Sequence, residues 1–563
     1  MSDFSGLNTA LSSLQAQRRG LELAAQNVAN ANTDGYSRQK LDLESIGASP
    51  VPAIYSVFSG TNGGVRVVDV ERFRDQFMEI QAALEHGAMA NLNVGSSTMQ
   101  GIEQLFPEPG DTGLSAQLAD FWSGFDDVAN HPEDPASRTQ LIERGKTIAN
   151  SLNRLSDQLD QQRQNTISEL GATVAEINST ADQVAQLNQS IKAAQISGLD
   201  VNELMDKRDL LANKLAELTG GSIRTLDHGQ VQVTVAGSPL VGANTTAQHL
   251  TLNTSGSPVT VRWQTTNTIV GMTSGKAGGE LTAINSTIPA YSARLDSVAT
   301  SLRDTVNQVH ASISGSLPTT AQDQSANPDL TFQMSLNGGA FTTVTVTAAD
   351  WSGATGAADL QTAIQDALDS ALGAGNATAT VTGGNGSDMS ISIAPVGTNS
   401  VLVESDGSTG FATLLGSTPV GLDGVGGRQF FTGTDAATLA VSSTIDGNPN
   451  AVAAGLAGLG PLDGSAALDL ADLGQSTTGA DAVYKQMVVQ LGVDTQTAKS
   501  RADIQQKATD SLDSSRQSYS GVNTDEEMAS MVEFQHAYEA AARFMTAIDS
   551  MLDTLINHTG VGA

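Results

Sequence analysis

Apolar residues recur in alternating steps of four and three at both ends of this 563-residue chain. At the N-terminal end they are Leu7, Leu11, Leu14, Leu21, Ala25 and Val28, with Arg18 as the one polar interruption. At the other end Met531, Phe534, Tyr538, Ala541, Met545, Ile548, Leu552 and Leu555 repeat the pattern without a gap. This heptad spacing is the signature of helices that pack along their length. More than 500 residues lie between the two seams. The simplest chain path therefore leaves from one end of an object and returns, so that the terminal helices pair as a coiled coil.

A chain this long exceeds the ~250–300 residues at which single cores stop growing, so several domains are expected. Residues 4–31 read as one amphipathic helix, stopped by ANANTDGYSR at 29–38. There Asn30, Asn32, Thr33 and Asp34 offer bonds to local backbone, and Gly35 accommodates a left-handed turn. Residues 40–70, with VRVVDV at 65–70, suggest an extended hairpin. From Glu71 to about Gly220 the pattern is helical, punctuated by Pro107, Pro109, Gly110, Pro132 and Pro135. Leu170, Val174, Ile177, Ala181, Val184 and Ile191 continue the four–three spacing, which points to a rod-like bundle.

The period then changes to two in GQVQVTVAG (229–237), HLTLN (249–253) and VTVRW (259–263), which read as strands. A helix is expected after Pro289, with Tyr291, Leu295, Val298, Leu302, Val306 and Val309 on one face. Residues 318–428 are rich in Thr, Gly, Ser, Ala and Asp. They carry FTTVTVTA, ATATVTG and MSISIAPV around one short helix near 357–371, and read as an independently folded β-rich insert. Helices follow at 480–518 and 524–557, the last opened by a capping box of Thr524 and Glu527. Asp525, Glu526 and Arg543 read as helix-end and solvated-face charges.

The fold class is thus mainly α with β-rich domains. Residues 1–39 with 522–563 form a terminal coiled-coil assembly domain, and 40–220 with 479–521 a helical rod domain. Residues 221–317 with 429–478 form a β-containing middle domain that includes a helix over 290–312. The 318–428 insert points outward.

Composition narrows the function. A formal net charge of −32 argues against binding nucleic acid or an anionic membrane through the general surface. No cysteine is present, which removes disulfides, thiolate nucleophiles and cysteine metal sites together. No stretch approaches the ~18 apolar residues of a membrane helix, and the N-terminus lacks the pattern of a Sec signal peptide. With only 4% aromatics, the core must rest on Leu, Val, Ile and Ala.

Fragments that imitate active motifs each fail at a required atom. GMTSGKA (271–277) has too short a glycine spacing for a phosphate loop, and Ala277 offers no hydroxyl for Mg²⁺. GGNGSDMSI (383–391) resembles one calcium nonapeptide without neighbours to stack on. DGNPNA (446–451) has Ala451 in place of the EF-hand glycine and Ala457 in place of its bidentate glutamate. The seven histidines form no metal pair, and His310 and His536 read as ordinary helical residues. No enzyme activity, cofactor or metal is expected.

The termini resemble a known family. ANANTDGYSR after an amphipathic helix is similar to the N-terminal signature of the bacterial flagellar rod, hook and hook-associated proteins. SGVNTDEEMASMVEFQHAYEAAARFMTAIDSMLDTLIN (520–557) is similar to their C-terminal signature. Interior segments resemble the members at the hook–filament junction: DFWSGFDDVANHPEDPASRTQLI (120–142), VNELMDKRDLLANKLAEL (201–218), SGKAGGELTAINSTIPAYSARLDSVATSLRDTVNQVH (274–310) and FFTGTDAATLAV (430–441). One departure is Ala277–Gly279, where that pattern has a more apolar run. The resemblance does not reach 318–428.

What the resemblance implies is a structural subunit of the extracellular flagellum, cytoplasmic before export through the flagellar type III apparatus. It implies a chaperone bound at the C-terminal helices and self-assembly as a ring or helical array. The hook protein would lie below it and the second junction protein above. Its assembly contacts would come from Leu7, Leu11, Leu14, Leu21, Val28, Asn30, Asn32, Gly35 and Tyr36, and from Met531, Phe534, Tyr538, Met545, Ile548, Leu552 and Leu555. Terminal segments mobile in the free subunit and helical on assembly would follow, because a helix pair gains most of its stability from packing on a larger surface. The competing readings are a hook or distal-rod protein and a secreted adhesin acting through the insert.

Overall fold

A computed structural model describes residues 2–46, 63–242, 246–310, 313–316, 329–336, 341–347, 349–350, 357–382, 390–396, 399, 401–403, 429–455 and 462–554. The chain is mainly α-helical with small antiparallel sheets. It divides into two compact units, one of residues 1–96, 166–285 and 498–563, the other of 97–165 and 286–497.

In the first unit, helix α1 (Ser2–Ala29) leads into a two-stranded hairpin of β1 (Gln39–Ser45) and β2 (Val65–Arg72). Helix α2 (Gln76–Leu105) starts after Arg74 and Asp75, because the strand continues past the point where helical spacing first suggested a helix. Asp75 Oδ1 accepts from the Phe77 and Met78 amides and so opens α2.

The core of this unit lies between the 166–196 part of α4 (Pro135–Ile196), α5 (Asn202–Thr219) and two small sheets. One sheet runs in the order β3 (Ser222–Thr225), β4 (Val231–Val235), β5 (Ser238–Val241). The other pairs β6 (Leu250–Asn253) with β7 (Thr260–Trp263). Leu170, Val174, Ile177, Ala181 and Val184 bury the helical seam against Val231, Val233, Val235 and Val261. Two asparagines dock the strands onto α4 by imitating a backbone edge. Asn188 donates to the Val231 carbonyl (2.8 Å) and accepts its amide (3.1 Å). Asn178 does the same at Leu250, at 2.9 and 2.8 Å.

The departure at Ala277–Gly279 has a steric reason. Helix α6 (Gly275–Thr282) crosses α2 so closely that a Cβ on Gly279 would come within 2.9 Å of the Asn91 carbonyl oxygen. A bulkier apolar run would not fit there.

Glu280 on α6 is 1% exposed. One of its oxygens accepts the Thr173 hydroxyl at 3.0 Å and faces Lys276 at 3.6 Å, while the other has no hydrogen-bond partner. Burial raises its pKa to about 7 against the lowering pull of Thr173 and Lys276. A raised carboxyl pKa favours the protonated form in the fold, so its stabilising contribution is complete below the unfolded value and declines as pH rises through 7. Glu280→Gln is expected to match the wild type at pH 4 and to be more stable by about 2–3 kcal/mol at pH 9. Thermal melts across that range check this; parallel pH profiles for the two proteins would refute it.

The second unit contains α3 (Leu114–Asn130), the 135–165 part of α4 and α7 (Ile288–His310). The helix expected after Pro289 is α7, which starts one residue earlier. A π-helical turn (Ala283–Thr287) joins α6 to α7, and Pro289 takes the second position of α7, where a missing amide costs little. Tyr291, Leu295, Val298, Leu302 and Val306 are buried as their spacing predicts.

A cluster of buried aromatic rings lies in this unit, beside an otherwise aliphatic core. Phe121 and Phe125 pack against Phe430 and Phe431 with centroids 4.9–5.9 Å apart. Asn307 fixes the 430–431 backbone by accepting both amides and donating to the Phe431 carbonyl. Buried His310 accepts the Ala453 amide at 3.0 Å, so it serves packing. Strands β14 (Phe431–Thr432) and β15 (Ala440–Val441) pair beside this cluster.

The β-rich region has one core. Helix α8 (Ala357–Leu372) places Leu360, Ile364 and Leu368 against two three-stranded sheets. Their orders are β10 (Thr342–Val346), β9 (Leu330–Leu336), β13 (Val401–Val403) and β11 (Ala377–Thr382), β12 (Ser390–Pro395), β8 (Ile313–Ser316). Strand β8 thus joins this region from before residue 318. The 383–389 part of the nonapeptide-like segment lies outside the described residues, and 449–451 of DGNPNA form a short 3-10 turn.

A helix not foreseen from the spacing, α9 (Ser465–Asp472), packs on α3. Helices α10 (Ala480–Ser520) and α11 (Thr524–Asp553) close the chain. Among the described residues no helix is long and apolar enough to cross a membrane, and no group of three or more His, Asp or Glu could hold a metal ion.

Candidate assembly site at the paired termini

Helices α1 and α11 pack along their length, as the two seams predict. The face that α1 offers is different from the predicted one. Gly6 lies against Ile548, Gly20 against Phe534, and Asn27 bonds Glu527, which sets an antiparallel register in heptad steps. By the same register Ser13 falls opposite Ala541. A Cβ on Gly20 would come within 2.6 Å of the Phe534 ring, and one on Gly6 within 3.1 Å of Ile548. The contact face of α1 is therefore a row of small residues flanked by buried Ala10, Ala16, Leu23 and Ala24. Small residues let the helix axes approach and seat the large side chains of α11.

The leucine seam of α1 is turned off this contact. Leu7, Leu14, Leu21 and Val28 are half-buried, and Leu11 is 45% exposed. On α11, Ile548 is buried, Met531, Phe534, Met545 and Leu552 are half-buried, and Tyr538 is 42% exposed. Leu555 lies outside the described residues. Met528, Val532, Phe544 and Met551 add exposed apolar surface.

The pair is closed at one end by a polar clasp. Asn27, 1% exposed, donates to the Gln39 carbonyl (2.9 Å) and to Glu527 Oε2 (3.0 Å). Its Oδ1 accepts from the Tyr36 hydroxyl (2.8 Å) and the Gln39 amide (3.1 Å). Arg38 donates from Nε to Glu527 Oε1 at 2.7 Å and from a terminal nitrogen to Glu526 at 3.0 Å. Glu527 is thus a buried clasp residue, while Glu526 pairs with Arg38 from the solvated face, its side chain 58% exposed. The helix cap is Asn523, whose side chain accepts from the Asp525 and Glu526 amides, so the Thr524–Glu527 capping box does not form. Glu527 is instead drawn inward by a cation.

Of the predicted turn residues, Tyr36 enters the clasp. Burial, with Asp206, Glu527 and Asp200 nearby, pushes its phenol up to about 12. Gly35 supplies the turn with φ +79°. Asn30 bonds locally to the Gln26 carbonyl and to Thr33, and Asn32 is exposed.

Below the clasp lies a buried charge cluster. Ser37 donates its amide (3.2 Å) and hydroxyl (2.9 Å) to Asp206. Arg72 bridges Asp206 (2.8 Å) and Asp209 (2.9 Å), while Arg74 and Arg208 also bind Asp209. Arg74 further pairs with Glu79 at 2.7 Å. Burial works against the charged form of Asp209, yet Arg208, Arg74 and Arg72 hold its carboxyl below the usual range. These carboxylates are engaged by arginines and are not poised for acid–base chemistry. The arrangement joins the beginning, the 200–210 region and the end of the chain.

Sequence reasoning did not single out Asn27, Ser37, Arg38, Asp206 or Asp209. One available signal was Asn27 itself, since a polar residue on a packed helix face is a register device.

Comparison with known proteins places the chain. A model of the flagellar hook-associated protein FlgK helical domain matches residues 99–315. Models of the flagella basal body rod protein and of the flagellar basal body rod FlgEFG protein C-terminal match 7–36 and 514–558. Flagellar hook-associated protein 1 of Bacillus subtilis is 28% identical over 100% of this chain and 99% of its own. That of Escherichia coli is 26% identical over 98% and 99%. Over nearly its whole length the chain is thus similar to flagellar hook-associated protein 1 of these bacteria. A solved structure of the flagellar hook junction protein from Burkholderia pseudomallei aligns with a TM-score of 0.48 and 19% identity, over 78% of this chain and 100% of that one. The rod-type family matches fall on α1 with its turn and on the end of α10 with α11, the elements that build the paired termini.

Proposed function

We infer that the paired termini are the assembly interface of a structural subunit of the flagellar hook–filament junction. The observation that carries this reading is the α1–α11 pair, whose clasp fixes a register while apolar side chains stay uncovered on its flanks. Leu11, Tyr538, Phe544 and Met551 stand free on a surface whose net charge otherwise keeps it soluble. Copies of such a pair packed side by side would cover them, and a repeated head-to-tail contact yields a ring or helical array.

In this reading the subunit crosses the type III apparatus unfolded, which the lack of disulfides permits, and works outside the cell. The hook protein and the second junction protein are its neighbours, and a chaperone guards the C-terminal helices before export. The chain acts as scaffold and not as enzyme.

Electron microscopy of a strain lacking the protein tests this. Hooks without filaments, with flagellin lost to the medium, are expected; normal filaments would overturn the assignment. Complementation with a chain lacking residues 318–428 is expected to restore motility. Failure of that chain to do so while being exported would instead give the insert a required role.

A further inference from the structure

The paired termini carry two seams of heptad spacing that the pair itself does not fully cover. On α1, leucines follow the contact row by one position: Leu7 after Gly6, Leu14 after Ser13 and Leu21 after Gly20. Leu11 and Arg18 fill the steps between them, and the exposed Arg18 is the only charge in the series. On α11 a second seam precedes the contact row by one position, with Glu533 before Phe534, Ala540 before Ala541 and Ala547 before Ile548. Ala537, Phe544 and Met551 fill its steps, and the exposed Glu533 is the only charge in this series from Ser530 to Met551. Because the helices are antiparallel, a step forward on α1 and a step back on α11 advance the same way along the pair. Both therefore turn the same way, by about 100°. Since the two helices face each other, that common turn carries the seams to opposite flanks. They cannot meet within one subunit, but a neighbouring copy can bring one onto the other.

We propose that the α1 leucine seam docks on the Glu533–Met551 seam of α11 in a second copy of this chain, held in register by Arg18 against Glu533. This rests on the assembly reading and names its contact. Run antiparallel, the two series share the same steps of four and three. One register then sets Leu7 against Phe544, Leu11 against Ala540, Leu14 against Ala537 and Arg18 against Glu533. Two of the three leucines meet alanine, which lets the helices approach and interdigitate. Sliding the copies by one heptad sets Glu533 against Leu11 or Ala25 and takes it away from Arg18, which leaves charge desolvated without a partner. The charges thus select the register that the apolar spacing alone leaves open. Since unlike seams meet, each added copy presents a free seam to the next, and the contact propagates instead of closing as a dimer.

The chain has no cysteine, so engineered disulfides report this contact directly. Full-length Leu14→Cys/Ala537→Cys is expressed in the strain lacking the protein, and assembled flagella are oxidised with copper–phenanthroline. A ladder of dimers and larger covalent oligomers is expected, and Leu11→Cys/Ala540→Cys is a second pair at the same level. Either cysteine alone is expected to give no dimer. Arg18→Glu in the two-cysteine chain is expected to cut the ladder at least about tenfold by setting two carboxylates together, and adding Glu533→Arg to restore it. Both charges are exposed in the subunit, so the melt of each variant is expected to match its parent. Filaments without a ladder from either cysteine pair, a dimer from Leu14→Cys alone, or a ladder insensitive to Arg18→Glu would each overturn the proposal. The junction reading stands or falls separately, on filament growth in the strain lacking the protein.

Discussion

Replacing Asn27 by leucine is expected to destabilise the terminal helix pair by about 3–5 kcal/mol, although it adds an apolar residue to an amphipathic helix. Four hydrogen bonds vanish together: two to Gln39, one from Tyr36 and one to Glu527. Each buried partner left unpaired costs about 1–3 kcal/mol, and Glu527 stays buried beside Arg38 with one fewer donor. The gain from burying leucine, about 1.5–3 kcal/mol at most, does not offset this. Hydrogen exchange of residues 524–553 is the direct readout. Protection there is expected to fall in Asn27→Leu while that of the 166–196 part of α4 stays. A hydrophobic seam with no polar lock predicts the reverse, a more protected α11. Asn27→Asp is a useful companion, since it keeps the shape but sets a carboxylate against Glu527. In a motility assay Asn27→Leu is expected to impair swimming through misregistered subunits even where export is normal.

The second large effect belongs to Asp209→Asn. Its carboxylate is shared by Arg72, Arg74 and Arg208, and neutralising it leaves three guanidiniums in a buried setting. Removing one partner from a buried charge group costs about 3–5 kcal/mol. The pH dependence identifies the cause. Because the folded pKa of Asp209 is depressed, its stabilisation is present above the ordinary carboxylate range and is lost as pH falls through the folded value. Wild-type protein is therefore expected to lose stability steeply below about pH 4, and Asp209→Asn to lack that part of the slope. Urea denaturation at pH 7 and pH 3 distinguishes the cases. A variant equally destabilised at both values would show that Asp209 acts through packing and not through its charge.

Much of the fold was legible because it rests on local periodicity. The seam from Leu170 to Val184, the alternation in VQVTV, and the face from Tyr291 to Val306 are each read by one continuous element, and each is buried as its spacing predicts. The turn at Gly35 was legible for the same reason, since φ above zero is a property of one residue. Helix α9 was not foreseen because its eight residues make barely two turns and three of them are alanine, whereas strand β9 does alternate, with Phe332, Met334 and Leu336 on one face.

The terminal helices show where local reading stops. Periodicity alone established that both ends are long amphipathic helices, and the signature segments pointed to the flagellar axial family. Which face of α1 meets α11 was decided only in three dimensions, because close approach selects small residues and a hydrophobicity pattern registers them as gaps. Gly6, Ser13, Gly20 and Asn27 look like the weak side of α1 until Phe534 and Glu527 are set against them. The same holds for Glu527, which fits a helix cap until Arg38, almost 500 residues away in sequence, draws it inward. An ion pair or a steric fit between distant segments leaves no trace in the spacing of either one, since its energy exists only when the fold brings the two together.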